Sequence, residues 1–150
     1  MARLVAFGGF GEFGANSLLV EDEDDGRVLV DAGAAFSDLA AFGVGYEVPD
    51  FSALGQDVPS AVIVTHAHDD HIKGLAFLRE AQAGIEVHAS RTTLAWARRA
   101  VGNGVPLSTR ELKEGTTARV GVFQVSTLGV SHLPNDLRSV GVDLPGASRF

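Results

Sequence analysis

The sequence predicts an α/β layered domain, and three observations carry that prediction. A continuous β-rich apolar run occupies residues 61–65, two stretches of helical spacing separated by an alternating strand follow it, and short apolar or alternating runs crowd both ends of the chain. At 150 residues and 45% hydrophobic, the chain is the size of one ordinary domain and can bury a core.

The elements follow in order. Leu4-Val5-Ala6-Phe7 is an apolar run ended by a glycine cluster, and Ser17-Leu18-Leu19-Val20 and Arg27-Val28-Leu29-Val30 are two more; each reads as a strand. Between the last two lies Glu21-Asp22-Glu23-Asp24-Asp25-Gly26. Asp25-Gly26 suits a hairpin turn, and five consecutive carboxylates repel one another unless water surrounds them, so the run reads as a solvated turn. Residues 34–59 are irregular, broken by Gly43, Gly45, Pro49, Gly55 and Pro59. Ala61-Val62-Ile63-Val64-Thr65 suits a strand buried on both faces, and it leads directly into His66-Ala67-His68-Asp69-Asp70-His71.

A helix is expected from near His71 to Ala83, stopped at Gly84, then a strand over Ile85-Glu86-Val87-His88-Ala89 in which His88 is an ordinary strand histidine. A second helix over Thr92 to Val101 is capped by Ser90 and closed at Gly102. On it Trp96, with Leu94, Ala97 and Val101, marks the packed face, and Arg98-Arg99 the solvated one. Residues 116–130 form two alternating runs hinged at Gly121, and Ser139 to Leu144 a last one.

Composition narrows the chemistry. With no cysteine, disulfide scaffolds, thiolate zinc fingers and cysteine nucleophiles are excluded, and any metal must be held by His, Asp and Glu. A formal charge of -7 argues against a self-sufficient electrostatic nucleic-acid binder, so a polyanionic substrate needs a metal or another domain. No stretch approaches the roughly 20 apolar residues of a membrane span, the N-terminus does not read as a signal peptide, and the chain is expected to be cytoplasmic with no membrane partner.

His66, His68 and His71 with Asp69 and Asp70 place three imidazoles and two carboxylates within six residues, just past a buried strand end. Protonated, the imidazoles would repel one another; neutral, they offer lone pairs, and imidazole plus carboxylate suits Zn²⁺ or Mn²⁺ without thiolates. In an extended turn, positions 66 and 68 point the same way while Asp70 and His71 point apart from them, which builds two neighbouring metal sites. Two metals about 3.5–4 Å apart are a standard hydrolytic device. Chance histidines in a polar surface loop are the plain alternative, and the density of the run after a buried strand argues against it.

Thr65-His66-Ala67-His68-Asp69-Asp70-His71 resembles the HxHxDH signature of the metallo-β-lactamase fold. Three flanking segments, Phe7-Gly8-Gly9-Phe10-Gly11-Glu12-Phe13-Gly14 with Asn16, Val30-Asp31-Ala32-Gly33, and Gly43-Val44-Gly45-Tyr46-Glu47-Val48-Pro49-Asp50-Phe51, resemble the opening of the ribonuclease J branch of the β-CASP nucleases in order and spacing. The match covers nearly the whole chain. It implies a metallo-β-lactamase αββα sandwich, of which residues 1–150 form a partial domain, approximately the N-terminal half. The C-terminal half and the inserted β-CASP domain are then absent.

The resemblance further implies His66, His68 and His132 as ligands of one metal and Asp70 and His71 of the other, with Asp70 and His71 at the catalytic centre. The activity implied is cleavage of RNA phosphodiesters with a metal-bound hydroxide, using two zinc ions or manganese in their place, with Asp70 accepting a proton. The loop carrying Gly11 and Glu12, and Asn16 beyond it, is placed at the edge of the cleft where substrate enters. In that family a further Asp bridges the metals and a late His completes the second site. Neither lies within these residues, so the isolated chain is expected to be incompetent and to need the missing half of the fold or a second copy of itself. A hydrolase of a small ester or thioester on the same fold, and a non-catalytic metal-binding or interaction fragment, stay open as alternatives.

Two residue groups have competing readings. Gly9-Phe10-Gly11-Glu12-Phe13-Gly14 satisfies G-x-G-x-x-G with Asp31 downstream, but a strand and a hairpin follow where a dinucleotide fold needs a helix. Asp31 is either a structural carboxylate at a strand end or an acid holding a ligand histidine in one tautomer.

Overall fold

The chain begins as an antiparallel meander: β1 (Arg3–Gly8), β2 (Ser17–Glu21) and β3 (Arg27–Val30) pair in sequence, with Leu4 opposite Val20 and Leu19 opposite Leu29. Residues 3–22, 26–130 and 137–143 are described in the computed structural model, residues 137–139 by their backbone alone. After a small hairpin of β4 (Ala35–Phe36) and β5 (Tyr46–Glu47), β6 (Val62–Ile63) joins β3 in parallel. Then come α1 (Asp69–Ile72), α2 (Leu75–Ala81), β7 (Val87–Ala89), α3 (Arg91–Val101) and β8 (Thr109–Glu111). The first sheet has the order β1-β2-β3-β6-β7-β8. A second sheet, β11-β10-β9, is formed by β9 (Thr117–Val120), β10 (Phe123–Val130) and β11 (Leu137–Asp143).

Strand alternation builds two cores on opposite faces of the first sheet. Leu19, Leu29, Val62 and Val87 pack against Ile72, Leu75, Leu78 and Leu94 of the helices. Val20, Val28 and Ile63, the residues in between, pack against Val120, Phe123 and Val125 of the second sheet. The described residues therefore form three layers, helices on sheet on sheet. The alternation over residues 116–130 supplies two strands of the second sheet, β9 and β10.

Several expectations change on folding. The helix expected from His71 to Ala83 is two helices, because the Gly74 N–H leaves the helical ladder and donates to the Ala32 carbonyl at 2.9 Å. The strand expected over residues 61–65 pairs as a ladder only at Val62–Ile63, although Val64 N–H still donates to the His88 carbonyl at 2.8 Å. Trp96 is not on the packed face: it is 47% exposed, while Thr93, Leu94 and Ala97 are buried and Arg99 stacks its guanidinium 5.0 Å from the indole. Glu21 is not part of a solvated turn but a buried end of β2, held by Arg3 at 2.6 Å and Arg27 at 2.7 Å. The turn itself, including Asp25, lies outside the described residues; at its edge Asp22 N–H donates to the Gly26 carbonyl at 2.9 Å. The β4–β5 hairpin and β8 are elements the periodicity does not signal.

The expected strands at β1, β2, β3 and β7 form, and Ser90 caps α3 by accepting the Thr93 N–H at 3.2 Å. Among the described residues no helix is long and apolar enough to cross a membrane.

Candidate metal centre

The centre lies where β3 and β6 end side by side and α1 begins. Parallel pairing of Val30 with Ile63 brings Asp31 beside Thr65, and the short step from Thr65 to α1 folds His66, His68, Asp70 and His71 over that junction. Backbone bonds lock the arrangement: Ala32 N–H donates to the His71 carbonyl at 2.9 Å, Ala34 N–H to Asp69 at 3.1 Å, and Asn16 N–H to Asp70 at 3.0 Å. Gly33 is required here by close approach, since a Cβ on it would sit 1.6 Å from the Asp70 carbonyl oxygen.

Asp31 occupies the left-handed region at φ 62°, where a non-glycine residue is uncommon and carries strain. The contacts it gains compensate. Its Oδ1 accepts the Thr65 N–H at 2.8 Å, its Oδ2 accepts the Thr65 hydroxyl at 2.9 Å, and Oδ2 lies 2.7 Å from His71 Nδ1. A carboxylate only accepts, so His71 carries its proton on Nδ1 and turns Nε2 outward as a lone pair. The same logic reaches His66. With the Thr65 hydroxyl donating to Asp31, Thr65 Oγ1 accepts from His66 Nδ1 at 3.0 Å, and His66 Nε2 is left as the second lone pair. Asp31 is thus a buried carboxylate at the strand end that hydrogen-bonds both Thr65 and the His71 ring. Thr65 is a site residue that sequence reasoning missed; its signal is a hydroxyl at the strand end next to the histidine run.

The donors come in two pairs. His66 Nε2 and His68 Nδ1 are 3.0 Å apart, and His71 Nε2 and Asp70 Oδ2 are 3.3 Å apart. The His66 and His71 rings lie 4.0 Å centroid to centroid, so the pairs are adjacent. Two ligands of one tetrahedral ion at about 2.0–2.1 Å are separated by about 3.3 Å, which both pairs approach. Among the described residues no three such groups close on one point, so each pair is an open, two-donor arrangement. Burial lowers the His71 pKa, but the hydrogen bond and charge of Asp31 and then the Asp70 carboxylate outweigh it and hold it above its ordinary value.

Asn16 joins the second pair, its Nδ2 donating to Asp70 Oδ2 at 3.0 Å and to the Asp70 carbonyl at 3.1 Å. Gly11 and Glu12 are exposed on the β1–β2 loop, where Glu12 accepts the Gly9 N–H at 3.2 Å and so turns back onto its own loop. Of the expected substrate-facing group, Asn16 reaches the donors through its bonds to Asp70. His132 lies outside the described residues. His88, buried on β7, pairs its Nε2 with Glu86 at 2.5 Å away from this cluster.

These strand-end donors sit on a fold that is shared widely. The chain belongs to the metallo-beta-lactamase superfamily, whose family model matches residues 10–145 and so takes in Asp31 and both donor pairs. Within it, curated relatives carry the name ribonuclease J. Ribonuclease J 1 of Streptococcus pyogenes is 39% identical over 95 residues, 62% of this chain and 17% of that protein. Ribonuclease J of Mycobacterium tuberculosis is 32% identical over 144 residues, 93% of this chain and 25% of that protein. The chain spans a quarter or less of these relatives. Among solved structures, the metallo-beta-lactamase fold protein YhfI of Bacillus subtilis aligns at TM-score 0.66 and 18% identity, over 95% of this chain and 58% of that one. Rm3 metallo-beta-lactamase aligns at TM-score 0.61 and 19% identity, over 97% of this chain and 58% of that one.

Proposed function

We propose that the chain is the metal-binding part of a hydrolase that cleaves RNA phosphodiesters. The observation that carries this reading is the pair of two-donor arrangements at one strand end, in a chain whose curated relatives named ribonuclease J are 31–39% identical. His66 and His68 hold one divalent ion with His132 as third ligand, and Asp70 and His71 hold the other, with zinc the expected metal and manganese its alternative. When bound, such ions supply Lewis acidity that activates water and offsets charge on a phosphate.

The chain's own groups prepare that chemistry. Asp31 and Thr65 present Nε2 of His66 and His71 as lone pairs, and Asn16 fixes the Asp70 carboxylate beside His71, where it can take a proton from the attacking water. We further propose that residues 1–150 are a partial domain, that the remaining ligands and the RNA-contacting surface come from the rest of a longer protein or from a second copy, and that the setting is cytoplasmic. The share of the relatives covered, 17–25%, supports the first of these.

Metal titration followed by elemental analysis tests the centre: bound zinc or manganese should be retained on the wild-type chain and lost in His66→Ala/His68→Ala. Titration curves that this double variant leaves unchanged sink the metal assignment. For the substrate, the protein expressed from the full reading frame that contains this chain should cleave a 5′-labelled RNA, and Asp70→Ala should abolish cleavage. Hydrolysis of a small ester with RNA left intact would move the assignment to a small-molecule hydrolase.

A further inference from the structure

The formal charge of -7 hides a segregation along the chain. Residues 1–86 carry fifteen carboxylates against four cations, whereas residues 87–119 carry six cations against Glu111 and Glu114. Helix α3 holds half of those six, Arg91, Arg98 and Arg99, and all three are exposed. The helix buries Thr93, Leu94 and Ala97, so its outer face is left to the three arginines, Thr92, Ala95 and Trp96. Its place in the fold is specific. Strands β3, β6, β7 and β8 run parallel, so their C-terminal ends share one edge of the sheet. The donor run follows β6 on that edge, while α3 begins at the end of β7, the next strand, and packs against α1, which carries Asp70 and His71. A strand of nucleic acid that follows α3 to its N-terminus arrives at the edge that carries the donors.

Two features set this face apart from an ordinary solvated helix surface. Arg98 donates to the Thr109 hydroxyl at 2.6 Å and Arg99 lies 5.0 Å from the centroid of the Trp96 ring, so both guanidiniums are oriented by neutral partners. Among the described residues neither forms an ion pair, while Arg91 shares Glu111 at 3.2 Å. The charge of Arg98 and Arg99 therefore stays available to a ligand. The second feature is Trp96 itself, the chain's one tryptophan, which stands 47% exposed beside them. Guanidiniums next to an open aromatic ring suit a polyanion that also carries rings, because the cations meet phosphates while a base stacks on the indole. An acidic polypeptide would satisfy the arginines and leave the tryptophan unused.

We propose that the outer face of α3 is a contact surface for single-stranded RNA outside the metal centre, with Arg98 and Arg99 on phosphates and Trp96 stacking on a base. The proposal rests on the RNA reading above, and it gives this chain its own share in holding the strand, beside what the remainder of the protein supplies. These are positioning residues and take no part in the reaction.

Titration of the chain with a short single-stranded oligoadenylate, with no divalent ion added, tests it. Because the chain has one tryptophan, its emission reports on this face alone, and RNA should quench it to saturation. By anisotropy of a 3′-labelled strand, Trp96→Ala should weaken binding roughly 5- to 100-fold and Trp96→Phe by less. Arg98→Gln/Arg99→Gln should lower the slope of log affinity against log salt concentration by about 1.4, twice the value of about 0.7 for one phosphate contact. All three side chains are exposed, so the variants should keep the wild-type thermal midpoint to within about 4 °C. Tryptophan emission that RNA leaves unchanged, or a salt slope that the double arginine variant leaves unchanged, overturns the surface. Polyglutamate binding as tightly as RNA, with no loss in Trp96→Ala, overturns it too and marks the face for an acidic polypeptide. The hydrolase reading fails separately: it is lost if the protein from the full reading frame leaves RNA uncut while this face still binds it, whereas RNA cleavage with Trp96 silent in the chain removes the surface alone.

Discussion

Asp31 is a small acid in a left-handed backbone conformation that is uncommon for residues other than glycine, and it is kept there by a backbone N–H, a hydroxyl and an imidazole. Because it sets His71 directly and His66 through Thr65, its loss should be felt at both donor pairs. Asp31→Asn should lower zinc affinity about 10- to 100-fold, the usual cost of removing an orienting partner, in competition titration with a chelator. Thr65→Val, which leaves the Asp31–His71 contact in place, should weaken the site holding His66 and His68 more than the other. Equal weakening of both, read from metal stoichiometry against chelator concentration, would show that the hydroxyl does not relay orientation. At this scale the sequence is informative about which side chains cluster, since His66, His68, Asp70 and His71 are neighbours in the chain. It leaves the role of Asp31 open, because its partners are Thr65 and His71, more than thirty residues away.

Helix α3 shows how far a single element can be read from periodicity. Its start follows from Ser90 and its end from Gly102, both of which act locally. Its buried face does not follow so simply. Thr93, Leu94 and Ala97 already fill the stripe against β7 and β8, and Trp96 falls on the flank, where Arg99 covers its ring. Leu94→Ala should therefore cost about 2–5 kcal/mol in urea unfolding, and Trp96→Ala less than about 1 kcal/mol. A larger loss for Trp96→Ala would place the tryptophan back in the core. The interrupted helix after the histidine run has the same origin: residues 71–83 have helical spacing throughout, but a tertiary bond from Gly74 to Ala32 divides them.

Across the whole molecule, the central strands β2, β3 and β6 of the first sheet are buried on both faces, by helices on one side and by the second sheet on the other. Phe123, fully buried between the sheets, anchors the second interface, and Phe123→Ala should cost about 3–5 kcal/mol in denaturant unfolding. A loss below about 1 kcal/mol would mean the second sheet does not pack as described. The acidic total of -7 is spread over paired and structural groups, including Glu21 between two arginines and Asp31 beneath the histidines, so it says less about ligands than the arithmetic suggests.

What the sequence by itself determined is the local part of this protein: the strands of the meander, the buried run before His66, the helix cap at Ser90, and the confinement of any metal donors to His, Asp and Glu by the absence of cysteine. These depend on residues a few positions apart, where periodicity and spacing act. The tertiary structure decided which tautomers Asp31 imposes, where the helix after the histidine run breaks, how the second sheet closes the core, and that Phe13, Phe36 and Tyr46 line one cleft with His68 and Asp70. Those outcomes depend on pairing of distant strands, and distance in the chain carries no periodic signal.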